Sequence, residues 1–167
     1  GYGPTFNSSA FENAIRVSGE AEWILPQLVD DFLGGHLQVE YDGTKLPPYD
    51  ITSKYIRPDR NLPTSNPLFT TIFRQRRVSQ EWQRACLNYC TYCSVTRLQK
   101  GGTGEGRGVR VRNVSDIIGE LESLNLKSGD FLFLADNNTA FIPRKQLLEL
   151  FRWIKEHEIR FITEATV

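Results

Sequence analysis

Hydrophobic and polar positions along the chain follow two helical or strand-like periodicities separated by a stretch that has neither. Between Glu20 and Leu33 the apolar residues Ile24, Leu25, Leu28, Val29 and Phe32 recur at helical spacing, which predicts an amphipathic helix. Pro26 sits near its start, where proline is tolerated, and Gly34-Gly35 predicts its end. Ser9-Ala10-Phe11-Glu12 has the form of a capping box, and "LQVEY", 37–41, predicts a short strand. Beyond residue 77 a second patterned region begins. "VSQEWQRA", 78–85, predicts a strand, and "GGTGEGRG", 101–108, a flexible turn. Asn113 is placed as an N-cap, with Asp116 three residues on, before a helix whose face is Val114, Ile117, Ile118, Leu121 and Leu124. "FLFLA", 131–135, predicts a buried parallel strand. Pro143 suits the first turn of a helix with Leu147, Leu148, Phe151 and Ile154 as its core face, and "IRFIT", 159–163, predicts a last strand. Strand, helix, strand, helix, strand predicts an α/β fold with a parallel sheet and right-handed crossovers.

Residues 42–77 hold five of the eight prolines and no period. They predict a Pro-rich linker between a section at 1–41 and a section at 78–167. No internal repeat is visible. Lysine plus arginine equals aspartate plus glutamate at 20 each, so no basic field points to nucleic acid or an acidic membrane. No apolar run is long enough for a transmembrane segment. The chain starts Gly1-Tyr2-Gly3-Pro4, contains no methionine and stops in a strand-like segment, which predicts an internal fragment of a longer protein.

All three cysteines lie in "RACLNYCTYCSV", 84–95, spaced Cys86-x-x-x-Cys90-x-x-Cys93. An odd, clustered set argues against a disulfide framework and for a reducing, cytoplasmic setting with a metal or redox role. A structural zinc site takes four ligands, usually in two separated pairs; here His36 and His157 are remote in sequence. A 4Fe-4S cluster normally takes four thiolates. With three, one iron keeps an open position for a substrate or cofactor.

This spacing resembles the signature of the radical S-adenosylmethionine (SAM) superfamily, Cys-x-x-x-Cys-x-aromatic-Cys, with Tyr92 at the aromatic position. The loop is similar to the Arg-Gly-Cys-Pro-Phe-x-Cys-x-Phe-Cys loop of its cobalamin-binding branch, of the hopanoid C-2 methylase type. "RGVRVRNVSDIIGELESL" resembles that branch's Arg-x-Arg/Lys-Ser segment and following helix, "FLFLADNN" its Phe-x-Asp-Asp-Asn strand end, and "FITEAT" its Thr-Glu-Ala-Ser strand. "VSGEAEWILPQLVDDFLGG" resembles the Gly-Glu-x-Glu helix that closes the cobalamin domain, and "YIRPDRNL" the Pro-Arg-x-Asp-Leu entry to the radical domain. Ala85, Leu87 and Ala135 depart from the branch's Gly, Pro and Asp. The branch's cobalt-ligand histidine motif would lie upstream of Gly1, and His36 is not it.

The resemblance implies the tail of a doubly wound cobalamin-binding domain followed by the first half of a partial (βα) radical SAM barrel. It implies a 4Fe-4S cluster on Cys86, Cys90 and Cys93, SAM, cobalamin, and an external electron donor such as flavodoxin or ferredoxin. The implied activity is a methyltransferase acting on an unactivated carbon of a small-molecule or lipid substrate. A non-methylating radical SAM enzyme and a structural metal module are the alternatives. Tyr92 would lie near the adenine. Asp136 and Asn137 follow a strand whose end contacts the SAM amino group in the superfamily; the other reading of "ADNNTAF" is a turn. Glu164 follows the next strand, facing the same cavity or, alternatively, solvent. Arg107, Arg110 and Arg112 alternate, which predicts a solvated edge strand, the other reading being an arginine on the SAM carboxylate. Trp23, Trp82 and Trp153 are expected in core or interface. Glu20 and Glu22 suit a helix start.

Overall fold

A computed structural model describes residues 14–58, 76–88, 90–93, 95 and 108–166. They divide into two compact units, Gly1–Tyr49 with Asn88–Arg107, and Asp50–Leu87 with Gly108–Val167. The predicted capping box at residues 9–12 and the turn at 101–107 lie outside the described residues.

In the first unit β1 (Arg16–Ser18), α1 (Ala21–Gly34) and β2 (Glu40–Asp42) form a βαβ unit with parallel strands, Val17 opposite Tyr41. Gly19 makes the turn possible. It stands at φ +96°, and a Cβ there would fall 2.6 Å from the carbonyl carbon of Gly43. Gly35, at φ 72°, ends α1 as expected, its N–H bonding the carbonyls of Asp31 and Phe32. The predicted strand at 37–41 begins three residues later. Residues 36–39 are spent turning, with the His36 N–H on the Asp31 carbonyl at 3.0 Å and the Asp31 carboxylate accepting from Tyr41 Oη at 2.7 Å and Gln38 Nε2 at 3.1 Å.

The predicted apolar stripe of α1 is covered only in part. Ile24 is buried and Leu28 half-buried, while Leu25, Val29 and Phe32 are exposed. The covered stripe runs through Ile24, Leu28 and Asp31, at i, i+4 and i+7, so it reaches both ends of the helix while Leu25, Val29 and Phe32 lie to one side of it.

The second unit is larger. After a short helix, α2 (Ile51–Lys54), which falls in the predicted linker, come β3 (Arg77–Gln80), β4 (Gln83–Arg84), β5 (Arg110–Val111), α3 (Val114–Ser123), β6 (Phe131–Leu134), a 3-10 turn (Thr139–Phe141), α4 (Arg144–Glu156) and β7 (Arg160–Ile162). Strands β3, β6 and β7 make a parallel sheet in that order, with Val78, Leu132 and Phe161 in one row. The fold is therefore α/β with parallel sheets, and the described residues close no barrel.

Helices α3 and α4 supply the core with Ile117, Leu121, Leu124, Leu150 and Ile154 against Val78, Leu132 and Leu134. Each such side chain taken from water stabilises by roughly 1.5–3 kcal/mol. Three expectations need correction. Strand β6 alternates, with Leu132 and Leu134 buried and Phe133 exposed, because helices cover only one face of the sheet among the described residues. On α4, Leu148 is exposed and Leu150 fully buried, so the core stripe is centred on Leu150 and Ile154, four residues apart. Pro143 stands one residue before α4 rather than in its first turn. No helix of the described residues is long and apolar enough to cross a membrane.

Candidate functional site at the carboxyl edge of the parallel sheet

The predicted strand at 78–85 is broken in two, and the break shows how the sheet edge is built. The Ala135 N–H bonds the Gln80 carbonyl at 2.9 Å and continues the β3–β6 ladder to its end. The next donors on the β3 side, the N–H groups of Trp82 and Gln83, go instead to Asp136 Oδ1, at 2.7 and 3.0 Å. Asn137 Oδ1 takes the Ala85 N–H at 2.7 Å. Two consecutive side chains beyond β6 thus hold the backbone leading into Cys86, and β4 leaves to pair antiparallel with β5.

Asp136 is buried, and Thr139 Oγ1 donates to its Oδ2 at 3.1 Å. Burial pushes its carboxyl up to about 6, against the bonds from Gln83, Trp82 and Thr139 that favour the charge. The far side of the same corner rests on Arg112. Its N–H bonds the Trp82 carbonyl and its Nη1 the Glu81 carbonyl, both at 2.9 Å. The guanidinium lies 3.6 Å over the Tyr55 ring, bonds Asp116 through Nε at 3.0 Å, and stands 2.9 Å from Glu120 as an ion pair without hydrogen-bond alignment. Arg112 is 1% exposed, so the solvated-strand reading is wrong for it: two carboxylates from α3 draw it inward. Arg110 is half-buried, and Arg107 lies outside the described residues. Burial works against the charge of Asp116, but hydrogen bonds from Arg57 and Arg112 outweigh it and hold Asp116 below its ordinary value. Asn113 precedes α3 as expected, yet its side chain donates to the Thr52 carbonyl at 2.9 Å instead of capping.

Of the tryptophans, Trp82 is fully buried, its indole N–H on Gln80 Oε1 at 2.6 Å, while Trp23 is 39% exposed and Trp153 partly buried against the core. Beside Trp82, Gln83 is fully buried, its carboxamide without a hydrogen-bond partner among the described residues. At the first helix, Glu20 does not cap α1; its carboxylate accepts the Tyr49 N–H.

The end of β7 reaches the same edge. Thr139 donates its N–H to the Glu164 carbonyl at 3.0 Å and shares a hydrogen bond with Thr163 Oγ1. The Thr166 N–H donates to Asn138 Oδ1 at 3.2 Å. Glu164 itself is exposed there. Cys86 is met from β6 by Asn138, whose Nδ2 lies 3.9 Å from Sγ. The carboxyl ends of all three parallel strands therefore converge where ligands of such sheets bind.

Cys90 and Cys93 belong to the first unit. The Cys93 N–H bonds the Cys90 carbonyl at 3.1 Å, so the two thiols flank one tight turn with Tyr92 exposed on it. A hydrogen bond with Cys90, and the charges of Cys90 and Cys93, push the Tyr92 phenol above its ordinary value. None of the three cysteines is in a disulfide. Thiols of this kind fit an iron–sulfur group by donor chemistry, though among the described residues no three His, Cys, Asp or Glu are gathered tightly enough to hold a metal ion.

Sequence reasoning passed over Asn138, Thr139 and the inward role of Arg112. Asn138 and Thr139 carried only a turn-former signal. Arg112 carried one that was not used, since Asp116 and Glu120 follow it at helical spacing. Compared with known proteins, the chain matches no family profile, no curated protein and no solved structure.

Proposed function

We propose that this chain is the cofactor-binding part of a radical SAM enzyme, with Cys86, Cys90 and Cys93 as the ligands of a 4Fe-4S cluster. The observation that carries the reading is the Cys86-x-x-x-Cys90-x-Tyr92-Cys93 spacing, on a loop that leaves the carboxyl edge of a parallel sheet. Cys86, Cys90 and Cys93 fall within eight residues of sequence, a compact spacing of the kind a single cluster calls for. When bound, such a cluster supplies the single electron, drawn from a flavodoxin- or ferredoxin-like donor, that breaks the C5′–S bond of SAM into methionine and a 5′-deoxyadenosyl radical.

The chain's own residues hold and orient. Asp136, with both oxygens engaged, fixes the Trp82–Gln83 corner, and Asn137 fixes Ala85, so that Cys86 is presented at the sheet edge. The exposed ring of Tyr92 is assigned to the adenine, and Asn137 and Glu164 to the polar end of SAM. In this reading β3, β6 and β7 are the first strands of a partial (βα) barrel, and β1–α1–β2 is the tail of a doubly wound cobalamin-binding domain.

The reaction proposed is methyl transfer to an unactivated carbon of a small or lipid substrate in the cytoplasm. Cobalamin enters through the resemblance alone. Neither histidine of the chain is proposed as its cobalt ligand, and no step is derived through it.

The test is electron paramagnetic resonance on anaerobically reconstituted, dithionite-reduced protein, with and without SAM, beside the Cys86→Ala, Cys90→Ala, Cys93→Ala variant. A reduced 4Fe-4S signal that shifts with SAM and vanishes in the variant is expected. Labelled SAM then reports methyl transfer. A folded protein that retains zinc and takes up no cluster would overturn the reading.

A further inference from the structure

We infer that Asn138 is the outer hydrogen-bond donor to the Cys86 sulfur and tunes the electron density on it; the inference rests on the cluster-binding reading above. The carboxamide of Asn138 is 3% exposed and cannot be turned round. Its Oδ1 accepts from the N–H groups of Ala140 and Thr166, at 3.1 and 3.2 Å, which leaves Nδ2 as the donor end. One Nδ2 proton goes to Thr166 Oγ1 at 2.8 Å. The other faces Cys86 Sγ at 3.9 Å, a length in keeping with a soft sulfur acceptor.

A thiol is a weak acceptor, and a sulfur carrying negative charge a better one. The contact therefore strengthens when Cys86 ligates a metal. Asn137 sets the backbone entering Cys86 and Asn138 meets its sulfur, so neighbouring side chains govern both. An amide N–H on a cluster-ligating sulfur stabilises the reduced, more negative state and raises the reduction potential.

Asn138 also has a structural task, capping the 3-10 turn and tying the end of β7 to β6. The two tasks lie on different atoms. Asn138→Asp keeps an acceptor for Ala140 and Thr166 while removing the N–H from sulfur. Thr166→Val removes the other partner of Nδ2 and leaves the sulfur contact. Circular dichroism checks that each variant folds.

The experiment is a redox titration of the reconstituted cluster in the wild-type chain and both variants, followed by electron paramagnetic resonance. Asn138→Asp is expected to disfavour reduction about tenfold, ~59 mV for a one-electron couple, and Thr166→Val less than about twofold. Equal potentials in wild type and Asn138→Asp overturn the inference. A parallel measurement needs no cluster: maleimide labelling of the metal-free chain at a single pH, read by peptide mass spectrometry. Labelling of Cys86 relative to Cys90 and Cys93 should slow several-fold in Asn138→Asp, where a carboxylate oxygen replaces the N–H that faces its sulfur, and an unchanged ratio overturns the contact. A wild-type chain that takes up no cluster sinks the function proposed above, and the labelling ratio still decides for or against Asn138.

Discussion

Asn137 Oδ1 accepts the backbone N–H of Ala85 at 2.7 Å, and Ala85 stands at φ 80°, a left-handed conformation that costs a residue with a Cβ about 1–2 kcal/mol. Backbone strain of this kind gathers at functional sites and persists where the surroundings over-determine it. Ala85 is also the position at which the resembled cysteine loop carries glycine, so the departure noted in the sequence is where the backbone is strained.

Ala85→Gly should therefore raise stability, by about 1 kcal/mol once the greater freedom of glycine in the unfolded chain is set against the relief. Asn137→Ala should lower it by about 1–3 kcal/mol, since the Ala85 N–H loses its acceptor. Urea denaturation midpoints at constant slope report both. A destabilised Ala85→Gly protein would show that the left-handed conformation is not what residue 85 requires.

Asp136 predicts a pH dependence. Its folded value of about 6 lies above the ordinary 3.8, so the folded chain holds this proton more tightly than the unfolded chain does. Its contribution is fully present below about pH 4 and is lost as pH rises through 6, amounting to roughly 3 kcal/mol. Asp136→Asn keeps an acceptor for the Trp82 and Gln83 N–H groups and removes the titration. Stability of the variant relative to wild type should rise between pH 4 and pH 7. Parallel pH profiles for the two proteins would mean that Asp136 is not held protonated by burial.

Arg112 predicts a large loss. Arg112→Met takes from buried Glu120 the guanidinium 2.9 Å away, removes a partner of Asp116, and takes a donor from the Glu81 carbonyl. Breaking a buried pair from one side costs about 3–5 kcal/mol. Replacing Glu120 by Leu in the same chain should recover most of it, because the uncompensated charge is gone. Chemical denaturation of the two variants decides this, and a double variant as unstable as the single one would place the cost elsewhere.

What the residues by themselves determined is local. The α1 and α3 helices, the glycine stop at Gly35, strands near 131–134 and 160–162, and the parallel α/β class all follow from periodicity and turn chemistry, which act over a few residues. The cysteine spacing and its chemistry are equally local. Tertiary structure decided what depends on partners distant in the chain. Asp136 and Asn137, more than fifty residues beyond Trp82 and Ala85, cut one predicted strand into β3 and β4 by taking its N–H groups. Arg112 turned inward because Asp116, Glu120, Tyr55 and the Glu81 carbonyl meet there. Leu148 and Leu150 are equally apolar in sequence; only the line along which α4 meets the sheet buries one and exposes the other. Hydrophobic pattern is read along a segment, whereas the burial of a polar or charged group is settled by which partners the fold brings to it.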